Sequence, residues 1–327
     1  MKPAFMGALL LGAASLAWAD PFLQDEIKWL ETMAFAAHQA DYSGTFVYQY
    51  GGHVETSRIT HVVDANGEHG RLESLDGVRR EIIRNNGEVW AYLGDRKVKI
   101  EQRGGREFPA LLPDQLSLLN ENYVIKQGDE ARVAGFHAHA IVFQPKDSLR
   151  YSHRMWADSN SGILLKAEVI DERGSVIEQY AFTQLTLGGD IDRTWIVQDT
   201  PVRGAKPGIV PVSKQNVAAR KSEAPSSASG WRVDALPPGF RKITEIRRSM
   251  HGRGAPAIQM VFSDGLAGIS VFIEANDNDE DDHPGLTSQG AIQIYSKVVD
   301  DRLVTVVGEV PPQAVMQVAD SVRYAGE

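Results

Sequence analysis

Three groups of residues have types and spacings that could do chemistry. His137 and His139 stand two apart in an alternating segment, which places both imidazoles on one face of a strand. Zinc takes three or four ligands. No third ligand is evident beside them, and no H-E-x-x-H occurs. Asp277, Asp279 and Asp281 copy the first positions of a calcium-binding loop, but Asp282 stands where that loop needs Gly and Ser288 where it needs Glu. Ser263-Asp264-Gly265 offers a hydroxyl beside a carboxylate, yet Asp-Gly between alternating apolar runs is already explained as a hairpin turn. No G-x-S-x-G elbow, phosphate loop or dinucleotide fingerprint is present. The chain has no cysteine, so thiol catalysis, disulfides and cysteine-type zinc sites are excluded. The sequence therefore predicts no enzyme, no catalytic residue, no metal and no cofactor.

Two other sets suit binding. The stretch from Phe108 to Leu119 is broken by Pro109 and Pro113 and carries Leu111, Leu112, Leu116, Leu118 and Leu119, too many apolar residues for a plain solvated loop. They either cap the core or form a lid or lining for an acyl chain. Phe46 and Tyr48 share one strand face, Trp90 and Tyr92 share another, and all four are candidates for lining the same cavity or for simple core. Arg79, Arg80, Arg84, Arg96 and Lys97 crowd the neighbouring hairpins. Guanidinium forks there would suit phosphates, or pair with Asp76, Glu81, Glu88 and Asp95. The net charge of −9 argues against bulk nucleic-acid binding.

The elements that must position these residues are mostly strands. Pro21 to Ala40 has a helical apolar period. A long meander follows, with Gly51-Gly52, Asn66-Gly67 and Asn86-Gly87 as hairpin signals. Asp114 to Leu119 reads as one short helix with Asp114 as its N-cap. Strands resume from Tyr123 to Leu187, as suits a large, curved antiparallel sheet or open barrel. Residues 204–230 are rich in Pro, Gly, Ser and charge, with no apolar period, and form the expected linker. From Trp231 the pattern predicts a smaller domain, a four-stranded antiparallel sheet with one helix starting at Pro311-Pro312.

Lys2, the apolar run Phe5–Leu16 and Ala17-Trp18-Ala19 have the layout of a cleavable signal peptide over residues 1–19. The run is shorter than the ~20 residues a membrane span needs. The expected organisation is a signal peptide (1–19), a mainly β domain (20–203), a linker (204–230) and a small α+β domain (231–327).

YSGTFVYQ, RITHVVD, RLESLDG and REIIRNNGEVWAYL in the first half resemble the MucB/RseB family, as do LPPGF, VFSDGLAGISVFIE and TVVGEVPP in the second. These are periplasmic regulators of an envelope-stress sigma factor. The resemblance implies an N-terminal unclosed barrel of the LolA type, covered by helices. It implies a periplasmic protein that binds the periplasmic segment of a MucA/RseA-type anti-sigma factor and protects it from site-one proteolysis. Lipopolysaccharide or another lipid would release it, and a homodimer is expected. Lipid is then expected at Phe46, Tyr48, Trp90, Tyr92, Phe108, Leu111, Leu112, Leu116, Leu119, Arg79, Arg80, Arg84 and Arg96, and the partner at Phe262, Ser263, Asp264, Leu266 and Phe272. A lipid or lipoprotein carrier of the LolA type is the alternative, disfavoured by the second domain.

Overall fold

The computed structural model describes residues 21–94, 96–100, 108–113, 115–196, 229–248, 257–276 and 284–325. The expected signal peptide, the acidic run 277–282, Asp95, Asp114 and nearly all of the expected linker lie outside them.

Helix α1 (Pro21–Gln39) leads into eleven antiparallel strands: β1 (Tyr42–Tyr50), β2 (His53–Asp64), β3 (Gly67–Ser74), β4 (Arg80–Asn85), β5 (Glu88–Leu93), β6 (Arg96–Ile100), β7 (Tyr123–Val133), β8 (Phe136–Pro145), β9 (Ser152–Asp158), β10 (Leu164–Ile170) and β11 (Val176–Leu187). Their order is β6-β5-β4-β3-β2-β1-β11-β10-β9-β8-β7, so the first and last strands pair in the middle, the mid-chain strands β6 and β7 are the two edges, and among the described residues the barrel is not closed by hydrogen bonds. The tight turns form where the sequence placed them, with Asn86 at φ 48° and Gly87 at φ 85° supplying the left-handed pair of a two-residue hairpin. Leu30, Met33 and Ala36 of α1 pack with Tyr42, Phe46, Phe143, Trp156 and Phe182 in one core.

The helix between the two halves of the meander lies later than expected. A 3-10 turn (Leu116–Leu118) runs into a four-residue helix α2 (Leu119–Asn122), and Gln115 precedes it with no side-chain cap. Packing decides this stretch more than capping does. Leu116 and Leu119 are both buried, and the buried face sets where the turn winds.

The second sheet has six strands rather than four. Its strands are β13 (Arg241–Arg248), β14 (Ala257–Ser263), β15 (Gly268–Ala275), β16 (Gly285–Gln289), β17 (Ile292–Val299) and β18 (Arg302–Gly308), in the order β13-β14-β15-β18-β17-β16. Two short strands, β12 (Trp231–Val233) and β19 (Val322–Tyr324), pair separately. Helix α3 (Pro312–Asp320) begins with Pro at a position whose N–H has no helical partner, and buries Ala314, Val315, Val318 and Ala319 on the sheet. β16 was missed because Gly-Leu-Thr-Ser-Gln has no apolar alternation and every residue of it is exposed. Among the described residues no helix is long and apolar enough to cross a membrane.

Candidate functional site

The register across β1 to β6 sorts the predicted residues by face. Directly paired residues of antiparallel strands share a face, and so do residues two apart. Phe46 pairs with Ser57, and Tyr48 with Glu55. Ile59 pairs with Leu72, Leu72 with Ile82, Ile82 with Ala91 and Ala91 with Val98. Phe46, Tyr48, Ile82 and Ala91 therefore share the inner face, and Arg80, Arg84 and Arg96 stand on it too. Trp90 pairs with Ile83 and Lys99, and Tyr92 with Glu81 and Lys97. These rings are on the outer face.

The expectation that Phe46, Tyr48, Trp90 and Tyr92 line one cavity is thus corrected. Each pair shares a face, but the count of residues through the intervening strands puts the pairs on opposite sides. Outside, Lys97 Nζ lies 4.3 Å from the Trp90 ring centre and Lys99 Nζ 5.4 Å from it, a cation–π arrangement. Tyr92 packs beside a small outer cluster of Val62, Ile83 and Trp195. Trp195 belongs to the segment that follows β11 and was not singled out by the sequence.

Inside, five aromatic rings converge. Phe108 lies 5.2 Å from Phe46, 4.9 Å from Phe182 and 5.6 Å from Tyr180, and Tyr180 stacks on Tyr48 at 4.4 Å. Leu112, Leu116 and Leu119 are buried in the same core, with Leu111 packed against it. Arg80 Nη2 donates to Glu55 Oε2 at 3.1 Å, whereas Arg79 is exposed, with its Nη2 4.0 Å from Glu81.

Three contacts that dock the C-terminal sheet on the N-terminal one bear on the predicted residues. In the β14–β15 turn, Asp264 Oδ2 accepts from Arg150 Nε at 2.6 Å and from the Tyr123 hydroxyl at 3.0 Å. Both side chains of the Arg150–Asp264 pair have zero exposure. Arg150 also donates to Asp147 and to the Pro238 carbonyl. Burial works against the Arg150 charge, but the hydrogen bond and charge of Asp264 outweigh it, and its pKa is raised. The Tyr123 hydroxyl is pushed well up by burial and by the Asp264 charge. Gly265, at φ +110°, passes so close that a Cβ would lie 3.0 Å from Leu119 Cδ2. Leu266 packs on the N-terminal core.

The second contact is the β16–β17 turn. Ala291 N–H donates to Glu178 Oε2 at 3.3 Å, and Gln289 Nε2 to the Tyr50 hydroxyl at 3.1 Å. Gly290 fits at φ +59° because a Cβ would meet Tyr50 Cβ at 2.9 Å. Burial raises the Glu178 pKa above its ordinary 4.5, against hydrogen bonds from Ala291, Tyr180 and Tyr48 that favour the anion. Burial, then the Glu178 charge, pushes both tyrosines up. The third contact is polar: Gln293 Nε2 to the Tyr151 hydroxyl at 3.2 Å and Gln313 Nε2 to the Ser148 carbonyl at 2.7 Å.

Of the residues expected to meet a partner, Asp264 and Leu266 are thus engaged by the N-terminal sheet. Ser263 Oγ donates to the Ala267 carbonyl and closes its own turn. Phe262 is buried in the C-terminal core, and Phe272 is half-buried on the opposite face of that sheet. Among the described residues no group of three or more His, Asp or Glu is arranged for a metal.

A model of the MucB/RseB N-terminal domain matches residues 25–200, and one of the C-terminal domain residues 225–323. The sigma factor AlgU regulatory protein MucB of Pseudomonas aeruginosa is 32% identical over 96% of both chains. The sigma-E factor regulatory protein RseB of Haemophilus influenzae is 25% identical over 90% of both. MucB in the complex structure of Pseudomonas aeruginosa MucA/MucB superposes with a TM-score of 0.71 at 28% identity, covering 93% of this chain and 100% of that one. Two domain matches in series over an unclosed eleven-stranded sheet and a docked second sheet make this chain a member of the MucB/RseB family.

Proposed function

We propose that this chain is a periplasmic regulator that binds the periplasmic segment of a MucA/RseA-type anti-sigma factor. Binding shields that segment from the site-one protease, and a lipid or lipopolysaccharide releases it. The carrying observation is the match of both domains to relatives named as sigma-factor regulatory proteins, one of which is solved with MucA. In this reading the segment 1–19 is a cleaved signal peptide, 204–230 links two domains, and the mature protein is a homodimer without enzymatic activity.

The geometry supports a linked switch. The inner aromatic cluster is the candidate for the acyl chain, with Arg80, Arg84 and Arg96 on the same face for phosphates. Leu119 beside it lies close against Gly265 of the β14–β15 turn, and Leu266 packs on the same core. A lipid that parts those leucines would therefore disturb the interdomain contact. Two ligands that favour incompatible arrangements lower each other's affinity.

The test is capture of the partner's periplasmic segment with and without lipopolysaccharide. Capture that lipopolysaccharide abolishes is expected. No capture in either condition, with lipid still bound, would instead favour the carrier reading, which the aromatic cluster alone also suits. Leu111→Asp should blunt release but leave capture intact.

A further inference from the structure

The two large sheets have four edges, and they are not equally protected. Edge strands carry unpaired N–H and C=O groups, which natural proteins guard with charges, bulges or proline. β6 is Arg-Lys-Val-Lys-Ile. β7 carries Lys126, Asp129, Glu130 and Arg132, and its pairing slips between Gln127 and Glu130. β13 carries Arg241, Lys242, Glu245, Arg247 and Arg248. β16 is Gly-Leu-Thr-Ser-Gln, with no charge, no proline and no bulge against β17, and with all five residues exposed. Its only described strand partner is β17. Leu286 on it is 44% exposed among the described residues.

We propose that the β16 edge takes an extended, uncharged stretch of the partner polypeptide as a seventh strand of the C-terminal sheet. This deepens the proposed function and rests on it, because it says where the anti-sigma segment lies. Strand addition draws affinity from main-chain hydrogen bonds and specificity from alternate side chains. The position favours a peptide over a second copy of this chain. Five paired residues bury far less than the roughly 1,200 Å² a stable interface needs. An extended segment makes up the difference by running off the edge onto the N-terminal rim. That rim begins at the end of β16, where Gln289 binds the Tyr50 hydroxyl, Tyr50 stacks on His53 at 5.3 Å, and Val54 is 57% exposed. One bound strand would thus touch both domains across the contact that holds them together.

Guarding the edge tests this. Leu286→Lys and Ser288→Lys introduce the charges that the other three edges carry, at exposed positions where the fold should persist. The probe is the synthetic periplasmic segment of the anti-sigma factor, titrated into the full mature chain, with sedimentation and melting measured in parallel. The proposal expects tenfold or greater weakening of segment binding, with mass and melting temperature unchanged. Unchanged binding overturns it. A drop in the mass of the free protein, with segment binding intact, also overturns it and assigns the edge to a second copy. Failure of the unmodified chain to bind the segment at all refutes the proposed function instead. Val54→Asp serves as a second arm and should weaken binding by a smaller factor.

Discussion

The two sheets solve the problem of an interior differently. The C-terminal core is built from short aliphatic side chains: Ile269, Val271, Val304, Val306, Val315 and Val318 are all fully buried between one sheet and one helix. The N-terminal core is larger and aromatic, with Phe46, Phe108, Phe182, Tyr48 and Tyr180 packed against one another beside a leucine-rich crossing. β-branched residues have few rotamers and fill one arrangement. Rings hinged at two torsions, lying under a segment without long regular structure, can be parted at lower cost. In the proposed function the stiff unit would read a polypeptide at its edge, and the adaptable unit would admit an amphiphile.

The contact between the units is where the contrast is broken most strongly. Arg150→Met leaves the Asp264 carboxylate buried without its cation, and about 3–5 kcal/mol of stability should be lost in urea unfolding. The double change Arg150→Met, Asp264→Asn should recover much of that, because the charge is removed while the side-chain amide oxygen can still accept from the Leu266 and Ala267 N–H groups. If the double variant is as unstable as the single one, the pair is not the cause.

Ile269→Ala should cost about 2–5 kcal/mol, as for deletions in well-packed cores. Hydrogen exchange should show lost protection in β14, β15 and β18 and little change in β1 to β4. Spread of the loss through both sheets would mean that they melt as one unit and that the stiff-versus-adaptable division fails.

The Glu178 contact should respond to pH. A carboxyl whose folded pKa is raised contributes stability that is fully present below its ordinary 4.5 and is lost as pH rises through the folded value. Overall stability should therefore decline as pH rises past the ordinary carboxyl range, read from the melting temperature across pH. Glu178→Gln should flatten that slope.

The smallest effect is expected at α1. Glu68 accepts from His61 and lies 3.3 Å from His38 Nδ1, and these hydrogen bonds, His38 first, hold its carboxyl well below the usual range. The group is partly exposed, so His38→Ala should cost less than about 1 kcal/mol. The contribution from Glu68 should persist above its ordinary pKa and fade only in strong acid.

Much of the fold is written locally, and the site is not. Gly67, Asn86 and Gly87 announce hairpins because few other residues take their positive φ angles. The period of α1 announces its buried stripe. Trp90 and Tyr92 were misplaced because a face is inherited through every intervening strand, and that count depends on registers no single segment displays. Asp264 looked like an ordinary turn residue because Arg150 lies 114 residues away and carries no local mark. β16 had no pattern to see, since a strand exposed on both faces needs no apolar alternation.

The buried ion pair also has a consequence in time. Neither Arg150 nor Asp264 touches water when the domains are closed. Opening must pass through a geometry in which the charges have parted and solvent has not yet arrived. That moment is the costliest of the excursion, since an unpaired ion in the interior is penalised by several kcal/mol. Separation of the two units, which the proposed release by lipid would require, should therefore be slow, with long dwell times on either side.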